Sequence, residues 1–145
     1  MSIGRIKSAV TRGQAGLVVT WDDGQRSEID LAPVIGARAV LAPLRNPETF
    51  HRIHLAEDGW SVEWPACGID FGAAQLRRWA DEQAGETMPA DAFRSWMERH
   101  GLTLDRAAES LGLSRRTIAY YLSGEQAVPK TVMLATEGFD GRQAA

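Results

Sequence analysis

Hydrophobic and polar residues alternate along much of the first half of the chain, as they do in half-buried β-strands. The alternation predicts strands near residues 5–10, 17–21, 28–31, 52–56 and 60–64. A shorter apolar return at Ile69 and Phe71 is expected to follow them. The side chains predicted to face inward are Ile6, Ser8, Val10, Leu17, Val19, Trp21, Ile29, Leu31, Ile53, Leu55, Trp60, Val62 and Trp64.

Turn and cap signals lie between these predicted strands. Asp23-Gly24 is typical of a two-residue hairpin turn, and Asp58-Gly59 predicts a second hairpin. Asn46 followed by Pro47 is typical of a helix start, with the asparagine as the cap. We expect that short helix to end near His51.

The second half of the chain changes to apolar residues at helical spacing. This spacing predicts helices at 73–83 and 90–100, and the stretch 84–89 between them is interrupted by glycine and proline, as a linker would be. We therefore expect an α+β fold with two domains. Residues 1–83 are predicted to form a small antiparallel-sheet domain with one or two helices, and residues 90–145 an all-α helix-turn-helix bundle.

The stretch TLDRAAESLGLSRRTIAYYLSG, residues 103–124, predicts two short helices joined by a tight turn. Ala108 lies where the two helices would approach most closely, so a small side chain is needed there. Gly112 can adopt the left-handed conformation that ends the first helix. The Ser114 hydroxyl can cap the second. These positions together are typical of a helix-turn-helix unit, after which a last helix is predicted to run from Pro129 until Gly138 stops it.

The outward face of the second helix carries the candidate chemistry. The second helix of such a unit lies in the major groove of DNA, with its N-terminal residues at the base edges. Arg115 and Arg116 occupy its first turn, where positive charge gains nothing from the helix dipole. Either could contact a guanine through two hydrogen bonds or bind a phosphate, Ala119 could touch a thymine methyl group, and the Tyr120 and Ser123 hydroxyls could reach phosphates or bases. The candidate DNA-binding residues are Thr103, Ser114, Arg115, Arg116, Ala119, Tyr120, Ser123 and Lys130.

The run SRRTIAYYLSG, followed by Val128-Pro129, resembles the recognition helix and following loop of the lambda-repressor-like helix-turn-helix family. The resemblance covers roughly the last third of the chain and implies a DNA-binding domain. One position departs from the pattern. Many members open the first helix with a glutamine that contacts phosphate, whereas this chain has Leu104 and Asp105, and the carboxylate would repel a phosphate.

The fragments DDGQRSEIDLAPVI, APLRNPETFHRI and GWSVEWPACGIDF resemble the prokaryotic domain-of-unknown-function family twenty-four forty-two. The resemblance spans roughly residues 3–80. It implies a small α+β domain and carries no chemistry. Fusion of this domain to a repressor-type helix-turn-helix is a recognisable arrangement, and the chain resembles its members.

Charge and cysteine content refine this picture. The net charge is −3, and residues 89–145 contain seven basic and seven acidic side chains. DNA affinity would therefore have to come from local placement of Arg115, Arg116 and Lys130, and weak binding per chain leads us to expect a homodimer. The single cysteine, Cys67, excludes an internal disulfide framework and suits a reducing cytoplasm. No apolar run approaches the length of a membrane span.

An enzyme or a cofactor site has no positive signal in the sequence. There is no glycine-rich phosphate loop or nucleophile elbow. His51 and His54 lack the third ligand that a zinc site needs, so we expect no metal. The alternative to DNA binding is a protein-interaction module that binds a partner protein, such as a co-encoded toxin. The balanced charge of residues 89–145 and the acidic Asp105 favour that alternative.

Overall fold

Two hydrophobic cores form in the computed structural model, which describes residues 4–144. One compact unit extends to Gln83, and the second begins at Ala84. The first unit is built on antiparallel sheets with a few helices, and the second is predominantly helical. The predicted α+β class is therefore confirmed.

The first unit contains two antiparallel three-stranded sheets. The strands of the first sheet are β1 (Ile6–Arg12), β2 (Gly16–Trp21) and β3 (Arg26–Asp30). Those of the second are β4 (His54–Leu55), β5 (Ser61–Trp64) and β6 (Ile69–Gly72). The helices are α1 (Ala32–Ala37), a 3₁₀ helix (Ala39–Arg45), α2 (Pro47–His51) and α3 (Ala73–Gln83).

Trp64 lies at the centre of the first core. Its ring stacks on Phe50 with centroids 5.8 Å apart and meets the edge of Phe71 at 5.5 Å. Its indole N–H donates to the backbone carbonyl of Phe50 at 2.8 Å, so the buried polar group is satisfied. The predicted start of α2 is confirmed, because the Asn46 side chain accepts a hydrogen bond from the backbone N–H of Glu48.

The first strand breaks the alternation that the sequence suggests. Its pairing with β2 shifts between Ile6 and Ser8, as at a β-bulge. Because the extra residue reverses which side chains face the core, Ala9 packs against the core and Val10 is 57% exposed. The prediction that Ser8 and Val10 face inward is therefore wrong, whereas Ile6 is buried as expected.

Both hairpin turns hold more residues than the alternation allows for. Trp21 and Gln25 are hydrogen-bonded across a turn of three residues, 22–24, so the predicted two-residue turn is wrong. Ala56 donates to the carbonyl of Ser61 across residues 57–60. Trp60 therefore belongs to the turn and not to β5, and it is 42% exposed, contrary to the prediction that it faces inward.

The second unit packs helices around aromatic side chains. Its elements are β7 (Thr87–Met88), α4 (Ala90–Arg99), α5 (Leu104–Leu111), α6 (Arg115–Ser123), β8 (Val128–Pro129) and α7 (Lys130–Ala144). Phe93, Trp96 and Ile118 are fully buried. The two short strands pair antiparallel, so Thr87 and Met88, within the predicted linker, join a two-stranded sheet.

The last helix does not stop at Gly138, as the sequence pattern predicts, but continues to Ala144. Beyond the glycine, Phe139 packs on Trp96 and His100, with ring centroids 5.4 Å and 4.8 Å away. Asp140 receives a hydrogen bond from His100 Nε2 at 2.6 Å, which lowers the pKa of the Asp140 carboxyl. They stabilise a helix that contains two glycines, Gly138 and Gly141, each of which costs about 1 kcal/mol.

Candidate nucleic-acid interface

The turn between α5 and α6 is fixed by local hydrogen bonds. The Thr103 side chain caps α5 by accepting from the backbone N–H of Arg106 at 3.2 Å. Gly112 ends the helix in the left-handed conformation, with φ of 69°. The backbone N–H of Leu113 then donates to the carbonyl of Ala108 at 2.9 Å. Since a side chain is strained at positive φ, the turn requires glycine at this position.

The orientation of α6 follows from its cap and its buried face. Ser114 Oγ accepts from the backbone N–H of Thr117 at 3.1 Å. Ile118 and Tyr121 point into the core, and the Tyr121 ring meets Phe93 edge to face at 5.5 Å. Burial raises the pKa of the Tyr121 hydroxyl. These contacts set the rotation of α6 about its axis and therefore the side chains that it presents outward.

The outward face gathers five of the candidate residues. At about 100° per residue, these five side chains leave α6 within an arc of roughly 140°. Tyr120 is half-buried and the other four are exposed. The members of this set, called the α6 outer face below, are Arg115, Arg116, Ala119, Tyr120 and Ser123.

Arg115 contacts an acidic side chain of the preceding helix. Its Nη1 lies 3.3 Å from Asp105 Oδ2 and 3.4 Å from Oδ1. The two side chains are 64% and 73% exposed, and a pair this open to solvent is worth about 0–1 kcal/mol. The sequence pattern shows no sign of this contact, because the two residues are ten positions apart and meet only through the turn.

Arg116 and Tyr120 form a unit on the surface of α6. Arg116 Nε donates to the Tyr120 hydroxyl at 2.6 Å, and the guanidinium carbon lies 5.3 Å from the ring centroid. The spacing of four residues on one helix is the signal that could have revealed this pair. The contact holds the guanidinium along the helix surface, while its terminal nitrogens keep donors for a ligand.

The remaining candidates have structural partners of their own. The Thr103 and Ser114 hydroxyls are used as helix caps. Ser123 Oγ donates to the Tyr120 carbonyl at 3.2 Å. Lys130 is the first residue of α7 and is therefore not part of the α6 outer face. Its Nζ lies 4.0 Å from a carboxylate oxygen of Glu86.

Arg94 is a supporting residue that sequence reasoning missed. Its Nη2 donates to the backbone carbonyl of Leu122 at 3.1 Å, near the C-terminus of α6. A positive charge there is favourable to the helix dipole. The two residues are 28 positions apart, so no local pattern could have paired them.

The described residues show neither a metal site nor a membrane helix. Within residues 4–144, no three or more His, Cys, Asp and Glu side chains are grouped so that they could hold a metal ion. In the same range, no helix has both the length and the apolar character needed to cross a bilayer.

The capped helix pair, its left-handed glycine and the fixed second helix define a helix-turn-helix protein. A model of the helix-turn-helix family matches residues 93–135. The model described as protein of unknown function, DUF2442, matches residues 6–82. The chain belongs to the DUF2442 family and carries a lambda-repressor-like helix-turn-helix after that domain, so both resemblances in the sequence are confirmed.

A solved structure shares this arrangement over most of its length. It is the crystal structure of a protein from Nitrosomonas europaea ATCC 19718 that is named as a candidate DNA-binding protein. The two chains are 36% identical, with 94% of this chain and 86% of that chain covered and a TM-score of 0.54. No curated protein is significantly similar to this chain.

Proposed function

We propose that the second unit binds double-stranded DNA with α6 in the major groove, and that the chain is a sequence-specific transcriptional regulator. The observation that carries this proposal is the α6 outer face. Two guanidinium groups, a methyl group and two hydroxyls leave one side of a helix whose opposite side is locked into a core. The similar protein from Nitrosomonas europaea, named as a candidate DNA-binding protein, supports the same proposal.

The contacts that Arg115 and Arg116 make within the protein are weak enough to be replaced by contacts with DNA. The exposed pair of Arg115 with Asp105 is worth about 0–1 kcal/mol. A bidentate contact of arginine with guanine contributes about 1–3 kcal/mol of discrimination. Arg116 donates one hydrogen bond, from Nε to the Tyr120 hydroxyl, and its other N–H donors can bind DNA. Both side chains are therefore available to base edges.

The balanced charge of the second unit argues for two copies on one DNA site. With few cationic side chains near the groove, a single chain makes few phosphate contacts and binds weakly. A homodimer doubles these contacts. Two recognition helices of a symmetric dimer would be about 34 Å apart, which is one helical turn of DNA.

Binding to a partner protein, such as a co-encoded toxin, is the second candidate function. The observation that favours it is the neutral pairing of Arg115 with Asp105 within a unit that has no excess of positive charge. Salt distinguishes the two functions. Affinity for DNA falls as salt rises because counterions are released from the phosphates, whereas an apolar protein interface changes little.

Selection from a pool of randomised DNA duplexes tests the proposal. We expect the full chain to enrich sequences with two half-sites related by two-fold symmetry and centred about 10 base pairs apart. The affinity for the enriched duplex should fall between about 50 and 200 mM salt, with a slope set by the few phosphate contacts of each chain. A pool that shows no enriched sequence after repeated rounds, or binding that ignores salt, would contradict the proposal.

A further inference from the structure

The two arginines at the start of α6 differ in the nitrogen atom that contacts the protein. The Asp105 carboxylate contacts Nη1 of Arg115, with its two oxygens at 3.3 Å and 3.4 Å. Arg116 instead donates from Nε to the Tyr120 hydroxyl at 2.6 Å. Its Nη1 and Nη2 groups, which together can contact O6 and N7 of a guanine, are outside this hydrogen bond. Of the two arginines, Arg116 is therefore the one that can contact a base through both terminal nitrogens and keep its contact within the protein.

Tyr120 is the more firmly held partner in this contact. Its side chain is half-buried, whereas that of Arg116 is exposed. Its backbone carbonyl accepts hydrogen bonds from the Gln126 N–H and the Ser123 hydroxyl, both at 3.2 Å. A tyrosine has two rotatable side-chain bonds, whereas a free arginine samples many rotamers. The tyrosine therefore limits the rotamers of the arginine, and the guanidinium carbon, 5.3 Å from the ring centroid, adds a cation–π contact.

We propose that Tyr120 is a positioning residue whose hydroxyl holds Arg116 in the rotamer that contacts one guanine through Nη1 and Nη2. This inference rests on the proposed binding of DNA by α6. A guanidinium can contact a phosphate in many rotamers, because the phosphate offers acceptor oxygens in several directions. The two acceptors of a guanine require one arrangement of the two N–H groups. The hydrogen bond to Tyr120 therefore adds affinity for the guanine and none for non-specific DNA.

The strength of one exposed hydrogen bond limits the size of this effect. Such a bond changes an equilibrium constant by roughly fivefold. It raises the fraction of free protein in which Arg116 has the required rotamer by up to that factor, and the affinity for the guanine rises with this fraction. Because the bond remains in the specific complex, none of this gain is lost on binding. A wrong base does not use the held rotamer and gains nothing.

The test replaces Tyr120 with phenylalanine, which keeps the ring and the net charge and removes the hydroxyl. Full-length protein is titrated with the duplex enriched by selection and with a scrambled duplex of the same composition. We expect affinity for the enriched duplex to fall about two- to fivefold per chain. Affinity for the scrambled duplex should change by less than about 1.5-fold, with the same salt dependence, because no charge is removed. Repeated selection with Tyr120→Phe should weaken the preference for guanine at the same base pair as selection with Arg116→Ala.

Three comparisons separate positioning from other roles of the hydroxyl. Tyr121→Phe removes the same group from the buried side of α6 and should leave both affinities unchanged. In an Arg116→Ala background, Tyr120→Phe should change the affinity for the enriched duplex by less than about 1.5-fold. Heteronuclear NOE measurements on arginine Nε–H groups should show Arg116 more ordered than the exposed Arg106 in the free wild-type chain, and equally mobile in Tyr120→Phe.

The outcomes distinguish this inference from the function on which it rests. A loss confined to the enriched duplex that vanishes without Arg116 supports the inference. If the wild-type chain binds the enriched duplex and Tyr120→Phe changes nothing, or weakens both duplexes alike, Tyr120 does not position Arg116 and the proposed function stands. An equal loss in the Arg116→Ala background would mean that the hydroxyl contacts DNA itself, which also overturns the inference alone. If the wild-type chain binds neither duplex, both proposals are overturned.

Discussion

Replacing Arg115 and Arg116 together by alanine is expected to weaken binding to the enriched duplex by about 100-fold or more. Each arginine stands to lose about 1–3 kcal/mol of base contact, and every factor of ten corresponds to about 1.4 kcal/mol. Both side chains are exposed on α6, and we expect the loss of the Asp105 pair and of the Tyr120 contact to cost about 1 kcal/mol or less each in the free energy of unfolding. A fluorescence titration with labelled duplex measures the loss, and a thermal melt shows that the fold is retained.

The matched control for this double variant removes the same number of positive charges from the first unit. Arg26 and Arg52 are both exposed, and replacing both with alanine removes two positive charges from the unit that does not contain α6. We expect this control to weaken binding less than about threefold, through the general field alone. If the Arg115 and Arg116 variant binds as tightly as the control, the duplex contacts another surface and the assignment of the α6 outer face is wrong.

Trp96→Ala is expected to lower the free energy of unfolding of the second unit by about 3–5 kcal/mol. The side chain is fully buried, with Phe93 and Phe139 ring centroids at 5.5 Å and 5.4 Å and His100 at 6.0 Å. Its removal leaves a cavity at the junction of α4 and α7. Since small domains are stable by only about 5–15 kcal/mol, a loss of this size removes a large part of the stability of the unit, which then unfolds at a lower urea concentration.

Urea denaturation followed by circular dichroism measures this destabilisation. The control is Trp60→Ala, because Trp60 is 42% exposed and contacts Arg5, whose guanidinium carbon lies 5.4 Å from its ring. We expect the loss of that exposed contact to cost about 1 kcal/mol or less. Equal destabilisation by the two tryptophan variants would mean that Trp96 is not at the centre of a packed core.

The helix-turn-helix could be predicted because residues next to each helix end determine where that helix begins or ends. Thr103 and Ser114 cap helices that begin immediately after them, and Gly112 ends a helix by its own backbone freedom. The predictions are wrong where contacts with residues distant in the sequence determine the local structure. The bulge after Ile6 depends on pairing with β2, and the helix continues past Gly138 because α4 provides contacts on its far side.

The same division applies to the candidate site. The outward positions of α6 follow from helical periodicity, and the contact between Arg116 and Tyr120 follows from their spacing of four residues. The sequence pattern predicts that Asp105 repels phosphate and favours binding to a partner protein. Its contact with Arg115 depends on the angle at which α5 and α6 meet, which the sequence pattern alone does not supply.

Directed cleavage of DNA tests the central claim most directly. Cys67 is the single native cysteine, so a Cys67→Ala chain with Ala119→Cys carries one thiol, on the α6 outer face, to which a DNA-cleaving iron chelate can be attached. The control places the thiol at Val40, which is 74% exposed in the first unit. The account predicts cuts centred in both half-sites of the enriched duplex for position 119 and weak, diffuse cleavage for position 40. Cuts from position 40 alone, or no localised cleavage from position 119 in a chain that still binds, would contradict the placement of α6 in the major groove.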